Sequence, residues 1–385
     1  MLTKLAVHGY RSLRDVKLAL GPVTLITGAN GSGKSNLYKA LRLLADVAQG
    51  NIIRSLAYEG GLSSTLWAGP ETIAAGVRRG DYPVQGTARK GPISLKLGFA
   101  GNDYGYAIDL GLPPPPSGYF GRDPVIKTEA LWHGELLSKA ALAAERHGVL
   151  VKLRGEGNDF RQAMQNLGPV DSMMTHCADP ANGLDLLTLR ERMRNWRFYD
   201  HFRSDRDAPS RKSQVGTFTP VLANDGSDLA PAIATIQEIG DYAALQEAVD
   251  DAFPKSTVQI GGAEPFMELE MQQHGMLRPL KAAELSDGTL RYLLWIAALL
   301  SPRPPSLMVL NEPETSLHAD LIAPLGRLIL RSAKSTQIIV ISHNQVLLET
   351  LLMAKDVNHI SLHKDFGETI ASCDDMGVRW VWPER

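Results

Sequence analysis

A chain of 385 residues, 44% hydrophobic and 21% charged, has the composition of a globular protein and ample length to bury a core. Its formal charge of −2 excludes a surface built throughout for nucleic acid, though not a local basic patch. Cys177 and Cys373 lie far apart, which excludes a disulfide framework or a cysteine zinc site. The start is not signal-like, and the longest apolar run, Tyr292 to Leu300, is too short for a bilayer. The expectation is a cytoplasmic chain without membrane contact.

Leu2 to Val7 and Val16 to Leu20 alternate as strands do, and Gly21-Pro22 turns into a third strand, Val23 to Thr27. That strand runs into Gly28-Ala29-Asn30-Gly31-Ser32-Gly33-Lys34-Ser35 and then a helical stretch from Asn36 to Leu44. The pattern G-x-x-x-x-G-K-[ST] arises by chance in a chain of this length on the order of one per cent of the time. Glycines let successive N–H groups turn toward phosphate oxygens, and the helix N-terminus adds partial positive charge. Lys34 suits the β- and γ-phosphates, and the Ser35 hydroxyl suits Mg²⁺. The loop predicts a nucleoside triphosphate ligand.

From Ile93 to Leu153 the pattern becomes period-two and predicts a mostly antiparallel sheet. Ile93–Phe99 and Tyr104–Leu110 flank the turn Gly101-Asn102-Asp103 as a hairpin. Pro113 to Pro116, with Ser117-Gly118, form a stiff loop before strands at Val125–Trp132 and Val149–Arg154. Helices follow: one capped at Asp179-Pro180 and reaching about Asn195, one from Ser227-Asp228 to about Ile239, and one capped by Asp241 and ending near Phe253. Strand-like segments at Val258–Ile260 and Phe266–Met271 precede a helix from Asp287 to Leu300. Then come a strand Ser306–Leu310, a helix Ala319–Ser332 and a strand Gln337–Ser342. Short apolar strands alternating with helices at both ends predict a parallel or mixed sheet built from both ends of the chain. No a/d heptad is sustained, so coiled-coil arms are excluded.

Three later segments bear on chemistry. Glu284-Leu285-Ser286-Asp287-Gly288-Thr289 opens a helix, where Ser286 serves either as an ordinary cap or as an anion contact. Leu307 to Leu310 is an apolar strand that delivers Asn311 and Glu312 at its carboxyl end, the edge where ligands of open α/β sheets bind. Ile338 to Ser342 is a second buried strand and ends in His343. In this order the four segments resemble those of ATP-binding-cassette (ABC) type ATPases of the RecF, SMC and OLD kind, in particular compact RecF-like bacterial ATPases without coiled-coil arms.

The resemblance implies a P-loop NTPase of the ABC-ATPase head type, an α/β fold. A mixed central sheet would be joined by an antiparallel β subdomain and a helical signature lobe. Residues 1–56 and 302–385 would form the nucleotide-binding core, 57–178 the β insert and 179–301 the helical lobe. Tyr10-Arg11-Ser12-Leu13 looks like the family's opening strand, with Arg11 approaching the nucleotide. Gly28, Asn30, Gly31, Ser32, Gly33, Lys34, Ser35 and Asn36 would hold ATP. Ser35 and Asn311 would hold Mg²⁺, Glu312 would be the catalytic glutamate, and His343 the switch histidine. Ser286 and Gly288 would contact the ATP of a second copy, giving an ATP-dependent head-to-tail homodimer, with Thr315-Ser316-Leu317-His318 as the loop that crosses its interface.

Two departures stand out. Asn311 occupies the place of the usual Asp, and no Gln sits at an obvious Q-loop position. Asp200 or His201, after the strand-like run from Trp196, could stand in for that Gln. The family's usual substrate is DNA, in repair, recombination or defence against invading DNA. Arginines from Arg190 to Arg211 with Trp196, Phe198 and Tyr199 interleaved offer either a DNA-contacting patch or a solvated face with core aromatics. The alternative to a DNA-linked ATPase is an ATP-gated module that controls a separately encoded toxin or nuclease with little turnover.

Overall fold

The computed structural model describes residues 1–70, 79, 81, 92–115, 118–155, 159–372 and 378–385; Cys373, Pro116 and Ser117 lie outside the described residues. The chain divides into two compact units. Met1–Gly21, Thr27–Asn195 and Ile360–Arg385 form the first, and Pro22–Ile26 with Trp196–His359 form the second.

An antiparallel sheet of eight strands organises the first unit. Its members are β1 (Leu2–Tyr10), β2 (Leu13–Ala19), β4 (Leu95–Gly101), β5 (Tyr104–Gly111), β6 (Val125–His133), β7 (Leu142–His147), β8 (Leu150–Arg154) and β9 (Phe160–Met164), in the order β2-β1-β4-β5-β6-β7-β8-β9. The hairpin around Gly101-Asn102-Asp103 forms as the alternation predicts, with Phe99 opposite Tyr106. Sequence periodicity did not reveal β7, because Glu145, Arg146 and His147 interrupt its apolar positions. Arg146 is nevertheless fully buried, 3.0 Å from the buried Glu129. Glu129 also accepts from the Tyr106 hydroxyl at 2.6 Å and the Met173 amide at 2.9 Å. Such a pair is tolerated inside only when its remaining hydrogen-bonding sites are filled in this way.

Ala100, Ala107 and Ala130 leave room for Trp132, which meets Trp380 edge-on at 5.8 Å. Helices α1 (Lys34–Ala48), α2 (Ile52–Tyr58), α3 (Leu62–Thr65), α4 (Met173–His176) and α5 (Leu184–Arg194) complete this unit, together with the part of β17 (Val357–Asp365) from Ile360 onward, which pairs antiparallel with β18 (Glu368–Ser372) through Ser361–Asp365. Helix α5 starts later than the Asp179 cap suggests. Asp179 Oδ1 accepts from the Ala181 and Asn182 amides and closes a separate turn.

Parallel strands form the heart of the second unit. β10 (Arg197–Tyr199), β15 (Leu307–Asn311), β16 (Gln337–Ile341) and β3 (Val23–Gly28) lie in the order β10-β15-β16-β3. The expected parallel or mixed sheet built from both ends of the chain is therefore observed. Around it pack α6 (Leu229–Ile239), α7 (Tyr242–Ala252), α8 (Asp287–Leu299), α9 (Ala319–Ser332) and α10 (Gln345–Leu352). A small antiparallel sheet adds β11 (Gln214–Val215), β12 (Thr257–Gly261), β13 (Phe266–Gln272) and β14 (Leu280–Lys281). Residues Leu290 and Tyr292 to Leu299 of α8 are all buried, so the apolar run seen in the sequence is core. No described helix is long and apolar enough to cross a membrane.

Candidate active site

The phosphate-type loop belongs to the first unit. Gly28 and Gly33 have φ of +153° and +113°, and a Cβ on them would stand 2.4 Å from Leu362 O and 2.2 Å from Thr369 Oγ1. Only glycine satisfies both the backbone angle and the approach of the β17–β18 hairpin. Lys34 opens α1 and is buried, its Nζ donating to Gly28 O at 2.5 Å and Ala29 O at 3.2 Å. Its charge is thus held inside the curl of the loop. Ser32 Oγ is buried without a hydrogen-bond partner among the described residues, whereas Asn30, Gly31 and Ser35 are exposed. Asn36 Nδ2 donates to Ser12 Oγ at 2.8 Å. Thr369 donates to Ser32 O at 2.8 Å and sits 2.7 Å from Ser12 Oγ.

Arg11, at the turn between β1 and β2, adopts a left-handed φ of +50°. Its Nη2 donates to Glu59 Oε2 at 2.6 Å, so its charge is paired within the chain. The Tyr10 hydroxyl donates to the same oxygen at 2.7 Å, and burial followed by the Glu59 charge pushes its pKa well up.

In the second unit, parallel pairing brings the carboxyl ends of β10, β15 and β16 to one edge. Glu312 follows β15 with a left-handed φ of +47°, a conformation that non-glycine residues adopt where the surroundings enforce it. Its amide donates to Ile341 O at 2.8 Å. His343 follows β16, with Nδ1 3.6 Å from Glu312 Oε1 and 3.8 Å from Glu314 Oε1. Glu314 is a residue the sequence reading passed over. Its carboxylate is buried and accepts from Ser342 Oγ at 2.6 Å and the His343 amide at 3.3 Å. Its Oε2 is buried without a partner among the described residues. Asn311 Nδ2 donates to Asp200 Oδ1 at 2.6 Å.

The segment Glu284–Thr289 leads into α8. Ser286 is its cap, with Oγ accepting from the Thr289 amide at 3.2 Å. Arg211 is buried behind it and donates to Leu285 O at 2.7 Å, Ala282 O at 3.0 Å and Asp287 Oδ1 at 2.6 Å. Arg278 makes two hydrogen bonds to Glu284, which hold that carboxyl down at about 2. A Cβ on Gly288 would meet only Ser316 O, at an ordinary 3.5 Å. Thr315, Ser316 and His318 are exposed.

Most arginines and aromatics between residues 190 and 212 are committed within the chain. Trp196, Phe198 and Tyr199 are buried, so they cannot stack on bases. Arg192 pairs with Asp103, Arg190 and Arg194 with Glu191, and Arg203 with Asp205, while Arg211 is the brace just described. Composition reveals the charges but not the partners that neutralise them.

Among the described residues no group of three or more His, Cys, Asp and Glu is arranged to hold a metal ion. Mg²⁺ needs no such cage, since it takes one or two carboxylates with phosphate and water oxygens.

Residues 23–349 match the family described as "AAA domain, putative AbiEii toxin, Type IV TA system". A 48-residue stretch is 48% identical to the OLD nuclease of Thermus scotoductus, covering 12% of this chain and 9% of that one, so the match spans less than a tenth of that relative. Among solved structures, an SMC head bound to the C-terminal winged-helix domain of ScpA aligns with a TM-score of 0.52. The alignment has 15% identity over 97% of this chain and 98% of that one, a likeness of fold alone. The chain belongs to this AAA-domain family, and its fold is that of an ABC-type ATPase head of the RecF, SMC and OLD kind.

Proposed function

We propose that the chain binds ATP with Mg²⁺, hydrolyses it, and dimerises head to tail around it. The observation that carries this reading is the loop itself: glycines enforced by their surroundings, the buried Lys34 ammonium held within the curl, and the unpartnered buried Ser32 hydroxyl. Triphosphate oxygens would take the Lys34 hydrogen bonds now made to Gly28 O and Ala29 O, and would accept from the Ser32 hydroxyl and the α1 N-terminus. Exposed Ser35 and the Asn311 side-chain oxygen are hard donors suited to Mg²⁺, which supplies charge neutralisation to the phosphates when bound.

Glu312 then orients a water and takes its proton as the water oxygen attacks the γ-phosphorus, releasing ADP and phosphate. His343, whose ring lies near both Glu312 and Glu314, senses the γ-phosphate. Catalysis of this kind rests on positioning and charge. Ser286 and Gly288 act in trans on the ATP of a second copy. Gly288 supports that part, since no described neighbour requires a glycine there.

We further propose DNA as the partner of the dimer, by likeness to the OLD nuclease and SMC head relatives. The second reading, an ATP-gated module governing a separately encoded effector, draws on Asn311 and on the toxin–antitoxin wording of the family description. Measuring phosphate release by wild type beside Glu312→Gln separates the two. Turnover that is lost in the mutant supports the enzyme. Wild-type turnover no greater than the mutant's, with ATP bound, supports the module.

A further inference from the structure

We propose that Asp200 supplies the negative charge of the Mg²⁺ site, so that the acid absent from position 311 has moved one strand across the sheet. This rests on the nucleotide reading above and deepens it.

Strand register makes the juxtaposition. β10 and β15 run parallel with Arg197 opposite Met308, Phe198 opposite Val309 and Tyr199 opposite Leu310. The next residues, Asp200 and Asn311, therefore leave the sheet side by side, and Asn311 Nδ2 donates to Asp200 Oδ1 at 2.6 Å. Tyr199 anchors the end of β10: it is fully buried, and its hydroxyl donates to Leu222 O at 2.9 Å.

Hydrogen-bond chemistry then explains the amide. A carboxylate only accepts, so the NH₂ end of Asn311 faces Asp200 and the Asn311 oxygen remains as a neutral ligand for a metal or an acceptor for its water. An Asp at 311 would set two carboxylates at hydrogen-bond distance, and both could not stay ionised without further compensation. Asn at 311 and Asp at 200 thus form one unit with a single negative charge.

That charge has no competing cation. No Lys or Arg among the described residues forms an ion pair with Asp200, which is exposed. The neighbouring arginines are committed elsewhere. Arg203 pairs with Asp205, and Arg291 donates to Ser204 Oγ and Thr315 O and lies 3.4 Å from His201 Nε2. The oxygens of Asp200 and Asn311 are hard donors of the kind Mg²⁺ prefers, which leaves Glu312 free for the attacking water.

The test uses the full chain, Mn²⁺ as the spin probe for the metal, and a non-hydrolysable ATP analogue carrying a fluorophore. Four proteins are compared: wild type, Asp200→Asn, Asn311→Asp and the double exchange. Metal affinity is read by electron paramagnetic resonance, nucleotide binding without metal by fluorescence, and folding by circular dichroism. Asp200→Asn is expected to weaken Mn²⁺ by about tenfold or more, leaving metal-free nucleotide binding unchanged within about twofold. The double exchange is expected to restore most of that loss, because the charge returns on the neighbouring strand. Asn311→Asp alone is expected to gain nothing over wild type. Unchanged Mn²⁺ affinity in Asp200→Asn, or a double exchange no better than Asp200→Asn, overturns the proposal while nucleotide binding stands. A wild type that binds no nucleotide in the fluorescence arm overturns the functional reading instead, and the proposal with it.

Discussion

Two places in the second unit carry family motifs, and they are built in opposite ways. At the carboxyl edge of the parallel strands, polar side chains hold one another. Asn311 is tied to Asp200, His343 stands near Glu312 and Glu314, and Glu314 takes the Ser342 hydroxyl. At the N-terminus of α8 the chain leaves a surface uncommitted. Gly288 sits in the first turn of a helix, where Ala is favoured over Gly by at most about 1 kcal/mol, with no described neighbour closer than ordinary contact to demand it. Exposed Thr315, Ser316 and His318 lie nearby in sequence to the strand edge, and Ser316 keeps a left-handed φ of +63°. On the function proposed above, the contrast teaches that preorganised groups serve chemistry inside one chain, whereas a glycine that packing does not require suits approach from outside.

The largest effect should come from breaking the strand edge. Glu312→Gln keeps the shape and removes the proton acceptor, so turnover should fall about 10²- to 10⁴-fold with ATP affinity kept, as checked by phosphate release and nucleotide titration. Breaking the other place should spare binding altogether. Gly288→Arg should abolish nucleotide-dependent dimerisation in light scattering, while the monomer still takes labelled ATP. Gly288→Ala sharpens the point, because thermal unfolding should show a gain of about 0.5–1 kcal/mol while turnover falls.

Thr369→Val is smaller. It removes the donor to Ser32 O in a buried setting and should cost about 1–3 kcal/mol in denaturant unfolding, with weaker ATP binding as the loop relaxes. Smallest is Asp46→Asn, in the first unit. Burial raises the Asp46 carboxyl pKa, outweighing the hydrogen bond from Ser55 and the Arg42 charge that lower it. A carboxyl raised on folding favours the native state at low pH, and that contribution is lost as pH rises through the raised value. The variant should therefore gain stability over wild type near pH 7 and lose that advantage toward pH 4, in melting curves across pH.

Much of the fold was legible where the physics is local. Apolar runs that end in polar residues marked β3, β15 and β16, and α9 occupies Ala319–Ser332 as its periodicity predicts. What stayed hidden depends on partners distant in the chain. Thr369 meets Ser12 across 357 positions, Glu59 holds Arg11 across 48, and Arg211 reaches Ala282 across 71. No periodic signal carries such pairings. Asp200 was named only as a stand-in for a missing Gln, because its relation to Asn311 exists only once β10 lies beside β15. Glu314 carries no sequence signal of its own, because its burial and the donors Ser342 and His343 exist only in the fold.

The head-to-tail dimer is tested most directly by the mass of Glu312→Gln in solution with saturating ATP and Mg²⁺. Light scattering should give twice the chain mass of 41.9 kDa, reverting when Gly288→Arg is added. A particle that stays at the single-chain mass with nucleotide demonstrably bound would contradict it.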